Sequence, residues 1–279
     1  MRTAAQNAEL ALLLEVAGTP KPGNVDRDRE YDDLRFEHFL AGAVGAQDGL
    51  GAADRSDGPP IGEAFDRAVE GMSDQRGGNT QFGALLLLVP LVRAAARGDL
   101  SQSGAREVVE ATTVTDAAGF YRAFEHVDVS VADPPESMED LDVRQGSDAI
   151  PTLYAHERTL EDVMARSAAH DGVAREWTSG FERSFQAAKR LEAIEGPVTD
   201  RTARIFLELL ADEPDTFVAI NHDDEMAESV SERAQAALEG NEDVDELAAE
   251  LIDREINPGT TADITAAGLF IALERGLAV

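Results

Sequence analysis

Thr80-Gln81-Phe82-Gly83-Ala84-Leu85-Leu86-Leu87-Leu88-Val89-Pro90-Leu91-Val92-Arg93-Ala94-Ala95-Ala96 follows Asn79 and carries no polar–apolar alternation of period two. The stretch predicts a helix over 80–96, opened by Asn79 or Thr80 as cap and kinked at Pro90, whose ring removes a backbone N–H. Its unbroken apolar part, 84–92, is nine residues long, well short of the roughly 20 needed to cross a bilayer. Working outward, helical spacing recurs over 8–17, stopped by Gly18 and Pro20, and at Phe36, Phe39, Leu40, Ala43 and Val44 behind the acidic pair Asp32 and Asp33. It returns weakly over 64–72 and then over 105–112, 116–126, 160–169, 173–194, 200–211, 223–238, 244–256 and 261–275. Between these lies an acidic, proline-containing loop excursion near 127–158, with a short extended piece expected over 127–131. Strand-like alternation is nearly absent, so the expected class is all-α, one multi-helix globular domain over 1–279.

The chain of 279 residues has 55 Asp plus Glu against 24 Lys plus Arg, a formal charge of -31. Such a field repels phosphate backbones and anionic lipid heads, which argues against nucleic acid and membrane surfaces as partners. With no cysteine, disulfides, thiolate metal sites and a cysteine nucleophile are excluded, and chemistry falls to oxygen and nitrogen groups. No export signal is read at the N-terminus, so the expected location is the cytoplasm. The acids are spread along the chain and only Lys21 and Lys189 are lysines, the pattern of a halophile's protein. The thermal midpoint should therefore rise between about 0.1 and 2 M KCl as carboxylate repulsion is screened. A midpoint that stays flat or falls over that range removes the halophilic reading.

Phosphate-loop, dinucleotide-fingerprint and zinc-protease motifs are absent. Three loop-to-helix junctions concentrate Gly, Pro, Asn and charge instead. Thr19-Pro20-Lys21-Pro22-Gly23-Asn24-Val25-Asp26-Arg27 is stiffened by prolines and can hold Lys21, Asp26 and Arg27 in fixed directions, or serve only as a helix connection with a charged rim. Gly77-Gly78-Asn79-Thr80 precedes the apolar helix and offers either an anion site of free N–H groups or a plain cap. Asn257-Pro258-Gly259-Thr260-Thr261-Ala262-Asp263 ends in a carboxylate that suits a metal, a base, or a capping box. Helical phase adds Asp171: it falls on the face traced by Leu160, Val163, Met164 and Ser167 if that helix runs through Gly172, and so points inward as a functional acid or as the partner of Arg175.

Taken in order, these segments resemble the triphosphoribosyl-dephospho-CoA synthase family. The family's proline-lysine-proline-glycine, one residue, valine-aspartate-arginine signature reads here Pro20-Lys21-Pro22-Gly23-Asn24-Val25-Asp26-Arg27. Its glycine-asparagine-threonine turn reads Gly78-Asn79-Thr80 with Gly83 following, and its C-terminal proline-glycine and alanine-aspartate read Pro258-Gly259-Thr260-Thr261-Ala262-Asp263. Two places depart: the family's glycine-alanine-histidine segment is Tyr31-Asp32-Asp33-Leu34, where Asp33 matches the family aspartate, and the histidine and lysine after the turn are Gln81 and Phe82.

The resemblance implies a transferase that moves the 5-triphosphoribosyl group of ATP to the ribose 2'-hydroxyl of dephospho-CoA and expels adenine. It implies ATP and dephospho-CoA as small-molecule partners and Mg²⁺ as cofactor. The metal would be held by Asp26, Asp33 or Asp263, with Lys21 and Arg27 on the phosphates and Gly78, Asn79, Thr80 and Gly259 supplying further donors. Asp171 or Asp263 is the expected base. Two other readings stand beside it: a Mg²⁺-dependent hydrolase of a nucleotide or ADP-ribose N-glycosidic bond, and a nucleotide-binding protein without catalysis.

Overall fold

The structure is a computed structural model, and it describes residues 2–134 and 140–279. The described residues form sixteen α-helices and no strand: α1 (Ala4–Ala17), α2 (Phe36–Gly45), α3 (Gln47–Ala53), α4 (Ile61–Ser73), α5 (Phe82–Ala96), α6 (Gln102–Glu110), α7 (Val114–Ala123), α8 (Ile150–Ala155), α9 (Leu160–Ser167), α10 (Gly172–Ser179), α11 (Glu182–Ala193), α12 (Val198–Asp212), α13 (Thr216–Asn221), α14 (Asp224–Leu238), α15 (Val244–Asp253) and α16 (Gly259–Glu274). None of them is long and apolar enough to cross a membrane.

Two helices carry the centre. α5 and α16 are buried around almost their whole circumference, as helices apolar on every side must be. α1, α5 and α11 pack on α16, and α4 fills the space between α3 and α7. A smaller apolar cluster, built on Phe206, Leu210, Val230 and Leu247, joins α12, α14 and α15.

α5 stays helical through Pro90. The proline cannot donate to the carbonyl of Leu86 one turn earlier, and the orphaned oxygen is taken by the indole N–H of Trp177, at 3.2 Å. Trp177, buried on α10, thereby ties α10 to α5.

Several boundaries differ from the sequence reading. The helix expected over 173–194 breaks where Gly180 and Phe181 both take positive φ, which ends α10 and lets α11 start in a new direction. The stretch near 127–158 is not all loop: a 3-10 helix (Val143–Ala149) and α8 lie inside it, while its part at 135–139 is outside the described residues. The helix carrying Leu160 ends at Ser167 and does not reach Gly172. Asp171 instead caps the next helix, its Oδ1 accepting from Val173 N at 2.8 Å and Ala174 N at 3.3 Å. The expected Asp171–Arg175 pair is replaced by an ion pair of Arg175 with Glu213.

Candidate active site

The three junctions converge. Asn24 Nδ2 donates to Asn257 Oδ1 at 2.9 Å, joining the first junction to the third. Gly23, with φ +69°, is so close to the third junction that a Cβ there would lie 2.1 Å from the Ile256 carbonyl. The second meets the third at Gly83: a Cβ on Gly83 would lie 2.0 Å from Asp263 Oδ2, so only glycine leaves room for that carboxylate against the start of α5.

Around this meeting point opens a cleft of about 1650 Å³, counting the open solvent at its mouth. The N-terminal ends of α5, α10 and α16 all face it, through Gln81 to Ala84, through Asp171 and Val173, and through Gly259, Thr260 and Ala262. Phe82, Phe120 and Phe124, with ring centroids 4.9 to 6.3 Å apart, make an apolar wall. Polar atoms within it are not all satisfied: among the described residues, Thr80 Oγ1 and both amide atoms of Gln81 are buried without a partner.

Four acids crowd the floor. Burial pushes the Asp263 carboxyl well above the usual carboxylate range, and the charges of Glu15, Asp215 and Asp171 push the same way; only the N–H of Ala84 opposes them. Burial also raises Asp171, against the N–H groups of Ala174 and Val173 and the charge of Arg175. Glu15 is raised by burial and partly restored by Lys21. Asp215, 3% exposed, is raised by burial although it accepts four bonds. Its Oδ1 caps α13 through Phe217 N and Val218 N, and its Oδ2 holds Thr261 N and Oγ1, both at 2.7 Å, at the start of α16. The Thr260-to-Asp263 capping box is therefore not what forms: Asp215 binds that helix start and Asp263 is left to α5 and the cleft.

Of the residues singled out in the sequence, Asn79, Thr80, Asp171, Gly259 and Asp263 line the cleft. Gln81, rather than Asn79 or Thr80, is the N-cap residue of α5 and makes no side-chain cap bond, while Asn79 Oδ1, two positions earlier, accepts from Phe82 N at 3.1 Å. Gly78 is exposed beside them with φ +67°. Lys21 is fully buried, with Nζ 2.5 Å from Glu15 Oε1 and 3.0 Å from Asn24 Oδ1. Asp26, 1% exposed, binds Thr19 Oγ1 and the N–H groups of Lys21, Asp28 and Arg29. Arg27 and Asp33 are exposed and outside the cleft lining, with Arg27 Nε 3.9 Å from Asp28. Asp26, Asp33 and Asp263 thus do not form one donor set, and no group of three His, Cys, Asp or Glu among the described residues is placed to hold a metal ion. Glu15, Gln81, Asp215 and Arg166 are the cleft and floor residues that the sequence did not single out. Only Gln81 carried a signal, as a departure from the family's histidine.

A family model for ATP:dephospho-CoA triphosphoribosyl transferase matches residues 1–278. A crystal structure from Archaeoglobus fulgidus, assigned as a triphosphoribosyl-dephospho-CoA synthase, superposes with a TM-score of 0.69 at 27% identity, over 86% of this chain and 100% of that one. No curated protein matches significantly. With the family's three motifs meeting in a single cleft and its model running nearly end to end, the chain belongs to the ATP:dephospho-CoA triphosphoribosyl transferase family.

Proposed function

We propose that the cleft carries out the family's reaction, transfer of the 5-triphosphoribosyl group of ATP to the ribose 2'-hydroxyl of dephospho-CoA, with Asp171 and Asp263 as its two proton-handling groups. The bond from ribose C1' to the adenine nitrogen breaks, a bond from C1' to the acceptor oxygen forms, the hydroxyl loses a proton and adenine gains one. Oxocarbenium character builds at C1' between these events, and neighbouring carboxylates stabilise it as they do in glycoside cleavage.

The observation that carries the role assignment is the different setting of two carboxyls in one cleft. Asp263, whose proton affinity is pushed up by burial and by the charges of three other acids, is suited to donate to the departing adenine. Asp171 has Oδ1 fixed by two backbone N–H groups, while its Oδ2 has no hydrogen bond among the described residues, the arrangement of an oriented base. Pairs of carboxyls with separated proton affinities divide acid and base work in this way. The phenylalanine wall suits the flat adenine and the apolar arm of the acceptor. ATP and dephospho-CoA as substrates imply a cytoplasmic setting. Magnesium enters this reading only as the counter-ion of the triphosphate, with one or two protein carboxylates at most. The Asp26–Asp33–Asp263 set does not fit it, and no step depends on it.

Incubation with ATP, with and without dephospho-CoA, tests the reading. The expected result is adenine release that depends on the acceptor. Release without acceptor would replace transfer by N-glycosidic hydrolysis, and binding of ATP without any release would replace it by a non-catalytic nucleotide site.

A further inference from the structure

The substrates of the proposed reaction are polyanions, yet the cleft is lined by Glu15, Asp133, Asp142, Asp171 and Asp263. Among the described lining residues Arg166 is the sole Lys or Arg, and His170 the sole His. Arg166 stands in the last turn of α9, half-buried. In a chain with more than two acids for every base, it has no carboxylate within 4.0 Å and no hydrogen bond among the described residues. That contrasts with the neighbouring arginines: Arg175 is held by Glu213 and the Ala168 carbonyl, and Arg183 by Glu213 and the Leu209 carbonyl. A half-buried guanidinium keeps five N–H donors that water reaches only in part, and leaving them unmatched is costly. The two cations expected on the phosphates are elsewhere, Lys21 buried on Glu15 and Arg27 outside the cleft.

We propose that Arg166, with His170 one turn further along in the α9–α10 connection, is the phosphate-chain subsite of the cleft. The planar guanidinium matches two phosphate oxygens at once, which an ammonium cannot do. Only the short connection 168–171 lies between the end of α9 and the start of α10, and Asp171 is its last residue, so a chain gripped at Arg166 is set beside the carboxylate assigned as base. Both substrates carry such a chain, ATP a triphosphate and dephospho-CoA a diphosphate. The inference rests on the transfer reading for which substrate uses the subsite, but not for the subsite itself.

The test combines Arg166→Gln and Arg166→Lys with two readouts: binding of inorganic tripolyphosphate by calorimetry, and KM for each substrate, all in salt that keeps the protein folded. Loss of a charged, bidentate contact should weaken tripolyphosphate binding about 10- to 100-fold in Arg166→Gln, with partial recovery in Arg166→Lys and an unchanged thermal midpoint. A matching rise in KM for ATP alone assigns the subsite to the triphosphate, and a rise for dephospho-CoA alone assigns it to the diphosphate; either supports the proposal. Tripolyphosphate binding that is unaltered in Arg166→Gln overturns it, as does a midpoint that falls in Arg166→Gln and recovers in Arg166→Lys while binding holds, since Arg166 would then serve only the C-terminal dipole of α9. Because tripolyphosphate binding needs no turnover, a protein that binds it through Arg166 but releases no adenine would sink the transfer reading and leave the subsite standing.

Discussion

Asp263→Asn is expected to lower turnover by about 10²- to 10⁴-fold, the usual worth of a positioned proton donor, while the protein becomes no less stable. The two halves have separate causes. An amide has nearly the shape of the carboxyl, still accepts from Ala84 N and still fits against Gly83, but it holds no proton that it can give to adenine. For stability, the unfolded chain ionises Asp263 near the ordinary carboxylate value, whereas the folded protein holds its proton to much higher pH. Between those two values folding takes up a proton, so this group's contribution to stability is full at low pH and is lost as pH rises through the folded value. Asparagine has nothing to ionise, and the variant should melt at the same temperature or higher near neutral pH. Asp171→Asn should also keep the fold, because Asn caps a helix as well as Asp does, and its loss of turnover should be relieved as pH rises and the acceptor hydroxyl needs less help. Full turnover in Asp263→Asn, or a midpoint lowered by several degrees, would remove Asp263 from the chemistry and make it scaffold.

Lys21→Met should act in the opposite manner, on stability before chemistry. Its ammonium is fully buried against Glu15, Asn24 and the Phe206 ring. Removing one partner of a buried pair leaves the other uncompensated, at a cost of about 3 to 5 kcal/mol. In a chain of this size that corresponds to a fall in midpoint on the order of 10 °C. Glu15→Gln placed on top of Lys21→Met should restore a large part of it, since the amide carries no charge to strand. If Lys21 instead held phosphate, Lys21→Met would raise KM for ATP at an unchanged midpoint, and chemical denaturation of the three proteins with parallel kinetics separates the outcomes.

How far the sequence could carry the site depends on what kind of signal each residue left. Gly83, Asn79 and Gly259 stand in breaks of composition, and breaks mark where helices start; the all-α class followed from the same periodicity that located them. Asp263 was legible because it closes such a break. Asp171 was found through a helical phase carried across Gly172, although the helix stops at Ser167 and the residue reaches the cleft as a cap. Lys21 and Asp26 show the reverse case. Their motif is real, but its charges are satisfied by Glu15 on α1 and by the loop's own N–H groups, partners that only the folded chain brings near. Glu15, Asp215 and Arg166 sit in or beside ordinary helical sequence, where an acid or an arginine reads as surface until tertiary packing covers it.

The bond between Trp177 and the Leu86 carbonyl also constrains how this protein can change over generations. While Trp177 supplies the missing donor, Pro90 is harmless, and a change of Pro90 to alanine simply returns the helix its own N–H. Loss of Trp177 while Pro90 remains would strand a buried carbonyl and loosen α10 from α5, moving Asp171, the cap of α10. The two positions therefore admit one order of replacement and resist the other: the proline can depart first, and the tryptophan only afterwards. Lineages that have left this pair behind should have passed through the intermediate lacking the proline, a direction of descent written into a single hydrogen bond.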